Sequence, residues 1–215
     1  MDQDLQDIAN KIIKYLDQKN VQYSDVRADQ QIKNSALIEN NDIEHIKNNE
    51  SKGVGVRLIK NGTWSFCSIT NPNSFDGIKD ILDNTLKNLD YRKIKNKEIK
   101  LHSNPVNKKE INFPVLKKTD IEELIKIGFE CNKIISGTPK IIKSITHASH
   151  TTNSKYFVNS EGSEILQNFT DIIMEMVATA HESGQTQSVN ITEGGRGGLE
   201  LITNKIQQSA KEISK

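Results

Sequence analysis

Apolar residues recur along this chain at two spacings, and the switches between them mark out its elements. Leu5, Ile8, Ala9, Ile12, Ile13 and Leu16 lie at helical spacing, which predicts a helix from about Asp4 to Gln18 that stops at Asn20. The pattern then alternates. Tyr23, Asp25, Arg27 and Asp29 oppose Val26 and Ala28, as expected of a half-buried strand running to Gln31. Ala36 to Glu39 and Ile43 to Ile46 flank Asn40-Asn41-Asp42 and read as a hairpin, because Asn and Asp tolerate turn dihedrals. A second hairpin spans Gly53 to Phe66. Its Asn61-Gly62 dipeptide suits a two-residue type I′ turn, in which both central residues need positive φ. That turn fixes the register. Ile59 should face Trp64, Arg57 face Phe66 and Gly55 face Ser68 on one side, with Leu58 facing Ser65, Val56 facing Cys67 and Val54 facing Ile69 on the other.

Asn71-Pro72-Asn73-Ser74 breaks the sheet, and Ile78, Ile81, Leu82, Leu86 and Leu89 predict a helix with Ser74 as its N-cap. Periodicity is lost from residue 91 to 118, a stretch rich in Lys and Asn with Pro105 and Pro114, which reads as a linker. Order resumes at Thr119. Thr119-Asp120-Ile121-Glu122 reads as a capping box that opens a helix carrying Ile121, Leu124, Ile125, Gly128, Phe129, Cys131 and Ile135, which ends at Gly137-Thr138-Pro139. Strands are expected at 142–149, 155–159, 163–169, 172–182 and 188–191, followed by a Gly-rich loop at 194–198 and the beginning of a helix from about Thr203.

The resulting fold class is α+β, with antiparallel sheets and helices packed on one face. Two helix-plus-strands units are expected, at 1–90 and 119–202, with residues 203–215 starting a helix that leads onward. The order of helix, strands and Gly-rich stretch occurs in both, as a diverged internal duplication would leave it. The last helix, with Ile206, Ala210 and Ile213, is short enough to fray or to need a neighbouring chain.

Charge narrows the function. Twenty-nine Lys and Arg against 28 Asp and Glu give a net charge of +1. That balance argues against a nucleic-acid binder relying on bulk charge. No window approaches the roughly 18 apolar residues of a membrane span, and the acidic N-terminus lacks the basic start of a signal peptide, so the expected compartment is the cytoplasm. Cys67 and Cys131 form no CxxC and read as reduced core residues.

The common catalytic patterns fail. His181-Glu182 opens like a zinc-binding HExxH, but Gln185 and Thr186 stand where a second His would be needed. His147 and His150 lie on an expected strand, where residues three apart point to opposite faces. No catalytic or metal-binding residue is therefore assigned. Two stretches carry candidate binding residues instead. Gly55, Arg57, Trp64 and Phe66 share one hairpin face, on which Gly55 opposite Ser68 leaves room for another backbone. Gly194, Gly195, Arg196, Gly197 and Gly198 put a single guanidinium among four glycines, which points to positive φ or close backbone approach. A plain hairpin and a tight turn with a solvated Arg are the corresponding structural readings.

Four motifs in order, Tyr23-Ser24-Asp25-Val26-Arg27, Glu50-Ser51-Lys52-Gly53-Val54-Gly55-Val56-Arg57, Gly62-Thr63-Trp64-Ser65-Phe66 and Gly194-Gly195-Arg196-Gly197-Gly198, resemble the N-terminal half of the TldD/PmbA family. Its members are called modulators of DNA gyrase and look like cytosolic metallopeptidases of unfolded peptides, in which a catalytic TldD-type subunit pairs with a TldE/PmbA-type subunit lacking the metal motif. The TldD side matches better. The resemblance implies a peptide substrate, a homologous subunit in a homo- or heterodimer, and zinc or another divalent metal held by an HExxxH motif. That motif should follow the last helix, in a C-terminal domain that this sequence does not include. The chain alone is then expected to lack a cofactor and peptidase activity, and to supply substrate channel or subunit interface. A peptide- or partner-binding module without catalysis, as in the TldE/PmbA-type subunit, is the alternative.

Overall fold

A computed structural model describes residues 1–91, 99, 101–102, 105–117, 119–203 and 205–214. The elements in chain order are α1 (Gln3–Asp17), β1 (Tyr23–Glu39), β2 (Asp42–Lys60), β3 (Thr63–Thr70), α2 (Phe75–Tyr91), β4 (Lys108–Asn112), α3 (Ile121–Ser136), β5 (Ile141–Asn159), β6 (Glu164–Glu182), β7 (Gln185–Arg196), a 3-10 turn (Leu199–Leu201) and α4 (Ile206–Ile213). The strands run in the order β3-β2-β1-β5-β6-β4, and β7 also pairs with β6. The fold is α+β, as expected.

Two compact units divide the chain, each assembled from separate segments. The first comprises residues 1–31, 51–112 and 153–168, and the second residues 32–50, 113–152 and 169–215.

In the first unit the β2–β3 hairpin has the register that its turn dictates. Asn61 and Gly62 have φ of 51° and 69°, and the pairs run Ile59 with Trp64, Arg57 with Phe66 and Gly55 with Ser68. Its aliphatic face, Val54, Val56 and Leu58, is buried with Val26 and Ala28 of β1 beneath Leu5, Ile12 and Leu16 of α1 and Ile78, Leu82 and Leu86 of α2. The Tyr15 ring meets Phe75 edge-on, and its hydroxyl donates to Asp83, which ties the two helices together. Strand β4 lies inside the stretch expected to be a linker and pairs in parallel with residues 164–168 of β6. Lys-Lys-Glu-Ile-Asn has almost no alternation, since it adds main-chain hydrogen bonds to an edge and buries little.

The second unit packs α3 and α4 over Ala148, Ile172, Met174, Met176 and Ala178. Asn132 of α3 is fully buried and ties the helix to the β1–β2 turn. Its Oδ1 accepts from Asn41 N at 2.8 Å and Ser144 Oγ at 3.0 Å, while Nδ2 donates to Thr146 Oγ1 at 3.2 Å. The terminal helix packs on its own chain and needs no neighbouring one to cover it. Ile206, Ala210 and Ile213 are buried in this core.

Several strands are longer than their sequence pattern. The two expected segments before residue 160 are one strand, β5, and the two after it are another, β6. Cys67 and Cys131 are free thiols, and burial pushes the Cys131 pKa up to about 12. Among the described residues, no helix is long and apolar enough to cross a membrane. Of the expected linker, residues 92–98, 100, 103–104 and 118 lie outside the described residues.

Candidate functional site

In the first unit, Asp25 is 1% exposed in β1, and burying a carboxylate requires a partner. Arg57 supplies it, with Nε donating to Asp25 Oδ2 at 2.8 Å and Nη2 reaching the same oxygen at 2.6 Å. Arg27 approaches the other oxygen at 3.7 Å. The Arg57 guanidinium also stacks on Trp64, 5.1 Å from the ring centroid, and Trp64 in turn meets the Tyr23 ring edge-on at 6.1 Å. Burial works against the Arg57 cation, but the Asp25 hydrogen bond and charge more than offset it and raise its pKa above the usual value. Burial, and then the Asp25 charge, raise the Tyr23 phenol above its ordinary value.

Tyr23, Arg57 and Trp64 line an open cleft of about 460 Å³, together with Phe157 and Asn159 of β5, Ile165 of β6 and Leu101, His102 and Pro105. A second hollow of about 370 Å³ adjoins it through Phe157 and Ile165 and reaches Arg27 and Lys155. Of the residues expected to form a site on this hairpin, Arg57 and Trp64 line the cleft. Gly55 does not provide the expected gap, because a Cβ there would lie 3.3 Å from Cε2 of Phe66, whose ring leans back across the position. Phe66 itself is 67% exposed.

The Gly-rich segment of the second unit is not a free loop. Gly194, Gly195 and Arg196 close strand β7, opposite Ile173, Ile172 and Asp171. Both suggested reasons for its glycines apply. Gly194 has φ of 143°, and a Cβ on it would fall 2.0 Å from Ile172 O, while one on Gly198 would fall 2.0 Å from Lys117 O. The Glu200 carboxylate accepts from Gly198 N at 2.8 Å and Lys117 N at 2.9 Å, and these bonds, that from Gly198 first, hold it below the usual carboxylate value. Arg196 is not simply solvated. Its guanidinium lies 4.0 Å from the Phe169 centroid and 5.0 Å from that of Phe113, and Nε donates to Asp171 at 3.3 Å.

Periodicity gives no sign that Asp25 meets Arg57, or that Phe169 and Asp171 meet Arg196, since each pair is distant in sequence. Asp25 shares the polar side of the expected alternation with Tyr23, Arg27 and Asp29, yet Ser24, Asp25 and Val26 are all buried in the fold, so the alternation misplaces it. His181 is on a strand, where its Nδ1 meets Thr186 Oγ1 at 2.9 Å across the β6–β7 pair. Among the described residues, no group of three or more His, Cys, Asp or Glu is placed to hold a metal ion.

Two family models match the chain. One, described as PmbA/TldA metallopeptidase domain 1, covers residues 24–89, and the other, the PmbA/TldA metallopeptidase central domain, covers residues 114–215. Metalloprotease MJ0996 of Methanocaldococcus jannaschii is 28% identical over 81% of this chain and 39% of its own length. A proposed modulator of DNA gyrase from Bacteroides thetaiotaomicron superposes with a TM-score of 0.79 at 16% identity, over 96% of this chain and 48% of that one. TldE from Thermococcus kodakarensis gives 0.73 at 14%, over 96% and 47%. The chain thus spans less than half the length of each of these relatives, and the structural likeness at such identities shows the fold.

Proposed function

We propose, for a chain that belongs to the TldD/PmbA family, that it forms a peptide-binding wall of a metal-dependent peptidase and leaves the bond-breaking step to residues outside it. The observation that carries this reading is the cleft over Arg57, Trp64 and Phe157. Aromatic faces take side chains of many kinds, and the half-exposed Arg57 guanidinium beside them can pair with main-chain carbonyls. Zinc or another divalent ion is the cofactor such a peptidase would use. The described residues do not fit one, and no hydrolytic step is assigned to them.

The direct test is binding of a reduced, alkylated, unfolded protein against its folded form, each carrying a fluorescent label and followed by anisotropy, with the parent chain compared with a variant at Trp64, its single tryptophan. The unfolded form should bind, remain uncleaved, and bind more weakly to Trp64→Ala. Cleavage abolished by a chelator, or equal indifference to both forms, contradicts the reading.

A second reading draws on Phe66, which is 67% exposed on strand β3 next to the half-exposed Trp64. An aromatic pair on an edge strand also suits contact with a homologous subunit. Concentration-dependent association that Phe66→Ser removes, without loss of peptide binding, favours that role for this edge.

A further inference from the structure

The cleft's chemistry narrows the class of peptide. We propose that it recognises a free C-terminal carboxylate carried by an apolar last residue, an inference that rests on the peptide-binding reading above. A guanidinium has five N–H donors in a rigid plane. In Arg57 the edge formed by Nε and Nη2 is committed to Asp25 at 2.8 and 2.6 Å, and Trp64 covers one face at 5.1 Å. Plane and orientation are therefore set before any ligand arrives. The remaining donors belong to Nη1 and the outer hydrogen of Nη2, on a side chain that also hydrogen-bonds the Tyr23 hydroxyl, is 44% exposed and lines the cleft. Two parallel N–H groups of this kind match the two oxygens of a carboxylate.

Charge points the same way. Asp25 is shared by two guanidiniums, Arg57 and Arg27, and neutralises one. Lys155 is matched by Asp29 at 3.5 Å. Glu161, on the turn after β5, stands on the rim as an opposing charge and disfavours a run of acidic side chains. Phe157, Ile165 and Leu101 offer the apolar surface for the side chain beside it.

Trp64 fluorescence reports the test on the 215-residue chain, with three probes: a tetrapeptide ending in leucine as the free acid, its C-terminal amide, and an amidated peptide whose only carboxylate is a last-position aspartate. At low salt the free acid should bind about tenfold or more tighter than either amide, as a charge-assisted fork gives. Asp25→Asn/Arg57→Gln removes both charges together and should bring the ratio to about one. Arg57→Lys keeps Asp25 paired, guards against a folding defect in the double variant, and should lose most of the preference. Equal binding of the free acid and the leucine amide overturns the carboxylate inference and leaves the peptide reading intact. Equal binding of the free acid and the aspartate amide overturns the terminal assignment. If no probe binds, both readings fall.

Discussion

Arg57 and Arg196 are built from the same parts and put to different ends. Each guanidinium lies on an aromatic ring and bonds an aspartate from a neighbouring strand. Asp25 is 1% exposed, so Arg57 has a buried charge to satisfy, whereas the Asp171 side chain is 33% exposed and can turn to water instead. Arg57 has one ring and opens on a cleft. Arg196 has two rings, Phe169 and Phe113, and extends from a backbone so crowded that glycine is the one residue that fits at positions 194 and 198. Arg57 is thus a half-exposed side chain at an open cleft, and Arg196 one held between two rings within its own unit.

The largest effect should come from the crowded backbone. Gly194→Ala places a methyl 2.0 Å from Ile172 O at a φ of 143°, so a loss of about 3 kcal/mol or more is expected in a denaturant melt. Gly184→Ala, at φ of 78° but with nothing within 4 Å, should cost only about 1 kcal/mol. Equal losses would remove the contrast on which the fastening role of the Gly-rich segment rests.

Next come the arginines themselves. Arg57→Ala strands Asp25 with the longer Arg27 contact, and about 2–4 kcal/mol should be lost. Arg196→Ala gives up ring contacts and a partly solvated pair, for about 1 kcal/mol. Thermal or denaturant melts that rank the two the other way would reverse the assignment of roles. In the hairpin that carries Arg57, Gly62→Val forces a β-branched residue to φ of 69° and should cost about 1–2 kcal/mol of strain. Unchanged stability would show that the turn does not set the register.

The smallest effect concerns alkaline pH in the first unit. Tyr156 is buried and its hydroxyl donates to Glu164 at 2.7 Å; burial, and then that carboxylate, push it up to about 12. In the unfolded chain it ionises near 10. The folded form thus keeps its proton longer, so its contribution to stability is full below about 10 and is lost as pH rises toward 12. Melts of the parent and Tyr156→Phe between pH 9 and about 12 should show a shallower decline in the variant. Parallel curves would place the alkaline sensitivity elsewhere, with Cys131 the next candidate.

How far the sequence carries each region follows from how local its determinants are. The hairpin register is legible because a two-residue turn with Asn61-Gly62 leaves one pairing open, and the helices because α1, α2 and α3 bury stripes at three- and four-residue spacing. The Gly-rich segment reads as a loop because glycine ordinarily interrupts strands. In the fold, Ile172 O and Lys117 O approach so closely that no other residue fits, and both contacts are remote in sequence. Strand β5 reads as two strands because His150-Thr151-Thr152-Asn153-Ser154 shows no apolar alternation, although Asn153 and Ser154 are buried with hydrogen-bond partners. Strand β4 escapes for a related reason, a parallel pairing that leaves no periodic mark. The gap expected at Gly55 vanishes because Phe66, diagonal to it across the pair, folds over the position. Most elusive is the pairing of Asp25 with Arg57, since nothing along the chain says which cation a buried carboxylate will meet.

The claim that Arg57 marks a peptide site and Arg196 does not can be tested in one experiment. A short unstructured peptide ending in a free carboxylate and carrying a benzophenone is irradiated with the 215-residue chain, and the adducts are mapped by mass spectrometry. Adducts are expected on Trp64, Phe157 and their strand neighbours, competed away by the same peptide without the label. Adducts concentrated on Phe113, Phe169 and residues 194–198 would contradict it.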